Sequence, residues 1–361
     1  MSDWRGGGTS FAGSLIVGGQ NTGTLDAADN NTGFGLTALD AVTTGDGNTA
    51  VGYNALTANT TGEGNVAIGY NTLAANTTAS QNLAMGYNAL AIQTTDGAFN
   101  TAVGSYTLDN NTIGDKNVAL GYVALTQNSE GSNNVGIGSS SSKSNSTGSS
   151  NTSAGNCSLY SNTSANYNTA IGAQALYDAN RTADTDGYNT ALGYTAMYAN
   201  TTGDRNLAIG SEAMNGADTE SDNIAIGYQT MSNNTAGGQQ NIGIGNYVFT
   251  VLTSGDENVF MGHNIGQNLT SGVGNTAIGQ GTCTSTSTGS YNTAIGRSVL
   301  NDVNGDANTG LGYKAGKDIS SGSNNIMIGN FSGNSGSPGG EITSASNTLV
   351  IGDENIANAH I

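Results

Sequence analysis

A chain of 361 residues with 56 glycines, one proline and only 9% charged residues is composed neither like an ordinary globular enzyme nor like a disordered tail. Its formal net charge of −18, from 26 acidic and 8 basic side chains, repels polyanions and so argues against nucleic acid or anionic membrane as partners. No apolar run approaches the roughly 18 residues of a membrane helix, so no membrane insertion is expected.

The chain opens with MSDWRGGGTSFAGSLIVGG, which lacks the basic start and apolar run of an export signal. Residues 1–30, with Trp4 and Phe11, are expected to form an N-terminal cap or attachment segment. The stretch SLIVG places a first, degenerate repeat copy at Ser14. From Asn31 onward nearly one phrase recurs: NTAVGYNAL at 48–56, NVAIGYNTL at 65–73, NLAMGYNAL at 82–90. Nineteen Asn-led copies run from Asn31 to Asn347, and 13 of the 18 intervals are 17 residues. A fixed period of this length marks one repeat array and not several domains. The array is assigned to 31–330, and 331–361 to the last coil and a C-terminal cap.

Within each copy, with the Asn as position 0, position 1 is Thr, Val, Ile or Leu and position 2 is mostly Ala or Gly. Position 3 is aliphatic, as in Val51, Ile68 and Met85. Position 4 is Gly in every copy from Asn31 to Asn325, as in Gly52, Gly69 and Gly86, and position 8 is often Leu or Met. A Gly inside each apolar cluster costs a helix about 1 kcal/mol, which excludes that reading. Two short strands per unit, parted by glycine bends, fit instead. The prediction is an all-β, parallel β-solenoid (β-roll) of about 19 coils, each stacking on its equivalents. Positions 3 and 8 are expected to point inward as aliphatic ladders. Asn48, Asn65 and Asn82 are expected to be stacked turn residues whose amides bond neighbouring backbone or the next Asn. Position 2 is expected to face outward as a small-residue surface that needs covering, which predicts a homo-oligomer. A closely packed or intertwined homotrimer is favoured.

Three further copies, NTAIGAQAL (168–176), NTALGYTAM (189–197) and NIAIGYQTM (223–231), resemble the Asn-Thr-Ala-Ile-Gly repeats of phage tail-fibre proteins. They are also similar to the head repeats of trimeric autotransporter adhesins, which fold as a trimeric left-handed parallel β-roll. The resemblance covers about residues 31–352. It implies a structural virion tail fibre, made in the host cytoplasm and acting outside the cell. Its partners would be its own copies, other tail or baseplate proteins at one end, and a host surface glycan or protein. In such fibres a self-cleaving chaperone domain often follows a segment resembling SNTLVIGDENIANAHI (346–361). A bacterial surface adhesin or filament subunit of the same fold is the alternative, and a glycan-cleaving tailspike the less favoured one.

Chemistry beyond this is sparse. Tyr53, Tyr70, Tyr87, Tyr122, Tyr194 and Tyr228 recur at position 5 and could present a glycan-facing ladder, against the plainer reading of cross-coil stacking. Acidic residues recur two before the Asn (Asp46, Glu63, Asp115, Asp204, Asp256, Asp306), without the strict oxygen pattern of calcium-binding solenoids. Cys157 and Cys283 belong to no metal motif, and His263 and His360 to no catalytic arrangement. No enzyme activity, metal or cofactor is expected. The interruptions at 177–189 and 331–347 are read as extruded loops.

Overall fold

The apolar clusters are too short for anything but three-residue strands, and their stability has to come from pairing with equivalents. The computed structural model describes residues 4–6, 14–18, 28–179, 186–233, 238–335, 337 and 340–353. Phe11, His360 and the centre of the 177–189 interruption lie outside the described residues, and Trp4 is described in its backbone only. Two compact units, Met1–Gly187 and Tyr188–Ile361, divide within that interruption.

In the first unit, strands from Leu15–Val17 to Thr169–Ile171 pair in parallel. In the second, strands from Thr190–Leu192 to Leu349–Ile351 do the same. The register carries no slip: Ala50 faces Ala67 and Val51 faces Ile68, then Ala67 faces Ala84 and Ile68 faces Met85. The fold is an all-β parallel solenoid, with no helix among the described residues. Strand Leu15–Val17 already pairs with Thr32–Phe34, so coiling begins at Ser14, inside the segment assigned to the cap. Strand Trp4–Gly6 runs antiparallel to Leu15–Val17 and covers that edge. At the other end Thr348, not Asn347, occupies position 0. Its N–H donates to Asn325 Oδ1 at 3.0 Å, and Leu349 pairs with Ile326.

Two expectations are corrected. Each coil holds one strand and not two. Among the described residues only isolated bridges, such as Val248 with Ile265, stand where a second strand would run. Positions 6 and 8 carry left-handed backbone, with φ of 54° at Asn71 and 48° at Leu73, which breaks any extended run. The return segment still bonds coil to coil, as in Leu56 N–H to Thr72 O at 3.0 Å and Thr60 N–H to Thr77 O at 2.8 Å.

The second correction inverts the faces of the strand. Position 2 points inward: Ala50, Ala67 and Ala84 are wholly buried. Position 3 points outward, with Met85 at 40% and Leu120 at 46% exposure. Position 8 lies inside, where Leu56, Leu73 and Leu90 are buried. The reason is width. The position-8 leucines fill the coil so fully that a methyl placed on Gly33 would stand 3.4 Å from Leu39 Cδ1, and one on Gly136 only 3.1 Å from Leu125 Cδ1. Opposite such a leucine the coil has room for Ala and little more.

The left-handed sites suggest a direct stability test. Val123 at position 6 has φ 51°, a conformation costly for a β-branched residue, where Asn54, Asn71 and Asn88 stand in other coils. Val123→Asn is expected to raise stability by about 1 kcal/mol, read from the denaturant midpoint of the full chain.

Candidate functional site

Side chains with polar chemistry sort into lanes, and the lanes differ in what they face. The most buried is the position-0 asparagine. Asn65 Oδ1 accepts the N–H of Asn82 at 3.0 Å, and Asn65 Nδ2 donates to the Ala79 carbonyl at 2.9 Å in its own coil. Asn48 repeats this with Asn65 and with Gly62, and Asn82 Oδ1 accepts from Asn100 N–H at 2.9 Å. Each amide thus ties one coil to the next; those of Asn48 and Asn65 also close their own turns, whereas Asn82 Nδ2 donates back to the Ser80 carbonyl at 3.2 Å. Removing the Asn65 amide orphans the buried Asn82 N–H, while the Ala79 carbonyl still accepts from Asn76 Nδ2 at 3.0 Å. Asn65→Leu is therefore expected to cost about 1–3 kcal/mol, the cost of one orphaned group, in urea unfolding of the full chain.

A second amide ladder, at position 11, is not among the sequence expectations. Asn128 Nδ2 donates to Asn111 Oδ1 at 2.9 Å and to Gly131 O at 2.9 Å, and Asn145 repeats the pattern on Asn128 and Gly148. In the second unit the same column begins with Asn200 and then turns mostly aliphatic, with Leu252, Leu269, Val303 and Ile319 buried and Thr286 among them. The recurring "N-T/S" of ANTTG, DNNTIG and SNSTG was the available signal.

The acidic positions before the Asn act as brackets. Asp46 Oδ1 accepts Asp29 N–H at 2.6 Å, Asp115 accepts Ala98 N–H at 2.6 Å, and Asp256 accepts Gln239 N–H at 2.8 Å. Serines do the same work in other coils, as Ser132 does for Asp115 N–H. Among the described residues no three His, Cys, Asp or Glu side chains converge on a metal site. Arg205 forms a bidentate pair with Asp222 one coil on, at 2.7 and 2.9 Å. That guanidinium holds the half-buried Asp222 carboxyl below its ordinary range.

Tyrosines form the most exposed lane. Tyr53, Tyr70 and Tyr87 stack with centroids 5.1 Å apart, and Tyr106 continues the row edge-on to Tyr122. In the second unit Tyr194 and Tyr228 stand two coils apart with Ser211 between them. Tyr228 meets Tyr247 edge-on, and Tyr247 meets His263. The Glu212 carboxylate is the first cause raising the Tyr228 phenol above its ordinary value. His263 is exposed beside this lane, with no nucleophile bonded to it among the described contacts. Cys283 is buried, which pushes its thiol up to about 12, whereas Cys157 is half-buried.

Outward positions 1 and 3 make a different surface. Val51, Ile68, Met85, Val103 and Leu120 stand in one column, with Thr49, Val66, Leu83, Thr101 and Val118 beside them. Ile209, Ile226, Ile244 and Met261 repeat the column in the second unit. Among the described residues, positions 0 to 8 hold only two carboxylates, Glu212 and Asp353. The other carboxylates of the described coils sit on the return turns.

No family profile matches this chain, and no curated protein shows significant similarity to it. Among the described residues no helix is long and apolar enough to cross a membrane.

Proposed function

We propose that the protein is a structural fibre or adhesion component of a phage virion, a homotrimer whose strands meet along the outward aliphatic lanes. The single observation behind this reading is the position-3 column, an apolar strip unbroken within each unit and flanked at position 1 by aliphatic or threonine side chains, on a face nearly free of carboxylates. Apolar strips of this extent are rare on isolated soluble chains. Copies meeting there would bury apolar area worth about 25 cal/mol per Å² without bringing like charges together. The rest of the coil supports a mechanical role. Polar side chains are used up in tying coil to coil, and lanes of identical residues make a stiff spacer. One end would attach to other tail or baseplate proteins and an exposed surface would meet a host glycan or protein. The resemblance of residues 31–352 to fibre repeats favours the virion over a bacterial filament.

Sedimentation velocity and native mass spectrometry of the full chain test the assembly. A trimer is expected at micromolar concentration. Ile68→Asp with Ile226→Asp should release folded monomer, because both side chains lie outside the coil and leave its interior intact. A wild-type chain that stays monomeric throughout would sink the assembly. Association of labelled chain with virions and not with bacterial envelopes is the expected result for its location.

A further inference from the structure

We infer that the second unit carries a site for a bulky organic ammonium ion, of the quaternary class, between Tyr194 and Tyr228 and beside Glu212. Both tyrosines stand at position 5, two coils apart, and the coil between them offers only Ser211 there. In the first unit, rings at this position repeat every 5.1 Å. One ring missing from such a row leaves a gap whose centre lies about 5 Å from each flanking ring. Both flanking rings reach solvent, Tyr194 at 55% and Tyr228 at 37% exposure. Tyr194 stacks on no other ring among the described residues, and Tyr228 meets only Tyr247, edge-on, from the coil beyond. Side chains at positions 5 and 6 share this lane, since Tyr247 at position 6 meets both Tyr228 and His263 at position 5. Position 6 of the middle coil is Glu212, one of the two carboxylates found at positions 0 to 8 among the described residues. Gln229 Nε2 donates to Glu212 Oε2 at 2.6 Å and steadies the group, while Oε1 has no hydrogen-bond partner among the described residues. The same carboxylate is the first cause raising the Tyr228 phenol, which sets it close to that ring. No Lys or Arg occurs in the sequence between Arg205 and Arg297, and Arg205 is committed to Asp222 and Asp204. A carboxylate without a counter-ion thus borders a gap between two aromatic rings.

Spacing and charge together select the occupant. An ammonium is attracted to an aromatic ring within about 6 Å of its centroid, a condition the centre of the gap meets for both rings at once. A flat ring packs at about 3.5–4 Å from a neighbouring face and would touch only one of the two. A neutral sugar would leave the Glu212 charge unanswered, and an anion would be repelled by it. Every side chain of the site belongs to the second unit of one chain, so the site stands or falls separately from the assembly proposed above.

The probe is choline chloride, titrated into the full-length protein while saturation transfer to its N-methyl protons is read by NMR. Saturable binding is expected with a dissociation constant on the order of 1 mM, weakened by added salt. Glu212→Gln keeps the size of the side chain and removes its charge, and should raise that constant about tenfold. Ser211→Tyr supplies the ring that other coils carry at this position and should abolish binding by filling the gap. Tyr53→Ser, in the lane of the first unit, should change nothing. The uncharged analogue of choline, with carbon in place of the ammonium nitrogen, should fail to compete. Circular dichroism confirms that each variant is folded. Absence of saturable binding, or equal binding by folded Glu212→Gln or Ser211→Tyr, overturns the proposal. So does loss of binding in Tyr53→Ser, or competition by the uncharged analogue equal to that of tetramethylammonium.

Discussion

Gly69→Ala is expected to be among the most damaging single-methyl changes available to this chain, costing at least about 4 kcal/mol. Gly69 has φ 134°, a region closed to residues with a Cβ except at a cost of about 1–3 kcal/mol. Strain is the smaller part. A Cβ there would stand 2.1 Å from the carbonyl oxygen of Gly86 and 2.8 Å from its carbon. Both are backbone atoms, and the Gly86 N–H is held to Ile68 O at 2.9 Å. Nothing flexible can move aside, so two coils have to separate. Because a repeat array is stabilised chiefly by nearest neighbours, the damage should be local. Hydrogen exchange should show protection lost between about Asn48 and Asn100 and kept in the second unit. Gly64→Ala is the contrast. Its φ is 64°, its nearest outside atom is Gln81 Cγ at 3.6 Å, and Lys116 occupies the equivalent position of a later coil with φ 56°. A loss within about 1–2 kcal/mol is expected there. Equal losses at the two glycines would refute the role given to close approach.

The second large effect is a compensated pair. At most coils position 2 is Ala and position 8 is Leu or Met. In the coil beginning at Asn258 these are Phe260 and Gly266. Phe260 is wholly buried against Phe249, centroids 4.3 Å apart, and a Cβ on Gly266 would come within 2.3 Å of Phe260 Cε2. Phe260→Ala should open a cavity and cost about 3–5 kcal/mol. Gly266→Leu should also destabilise strongly, through overpacking against the ring. Its left-handed φ of 60° is not the obstacle, since Leu73 and Leu90 sit at φ 48° and 49° in the same position. The double variant rebuilds the Ala–Leu coil seen at Ala67 and Leu73. It should recover most of either loss, a coupling on the order of 3 kcal/mol in a double-mutant cycle. Additive losses would show that the two positions do not share one space.

That pair also separates what the sequence makes legible from what it conceals. The period, the parallel register, the position-4 glycine and the inward Leu at position 8 follow from spacing alone, because like residues must stack to pair. The inside and outside of the strand do not follow from hydropathy. Ile68 and Met85 look like core and Ala67 and Ala84 look like surface, yet the coil is too narrow to hold both an isoleucine and the leucine of position 8. Two coils nevertheless carried the signal. Where position 2 is large, as in Phe260 and Met327, position 8 is glycine, as in Gly266 and Gly333. A methyl on Gly333 would lie 2.7 Å from Met327 Sδ. Such a trade occurs only between side chains that share an interior. The bent return segment was harder to foresee, because leucine in left-handed backbone is unfavourable by itself and is accepted here for the burial it gains. The position-11 amides were hidden among the polar residues of the turn, where an interior Asn and a solvated Asn read alike.

The slip-free register has an implication for how such a molecule changes length. Removing residues 65–81 would join two equivalent positions and set Ala50 over Ala84, Tyr53 over Tyr87 and Leu56 over Leu90, with every lane unbroken. Periods of 18 and 16 residues, from Asn82 to Asn100 and from Asn292 to Asn308, leave Leu83 opposite Thr101 and Thr293 opposite Thr309. The odd residue is absorbed in the return turn. Unequal recombination between near-identical segments of such a gene would therefore add or subtract whole rungs, each about 4.8 Å, and leave the chemistry of every surface as it was.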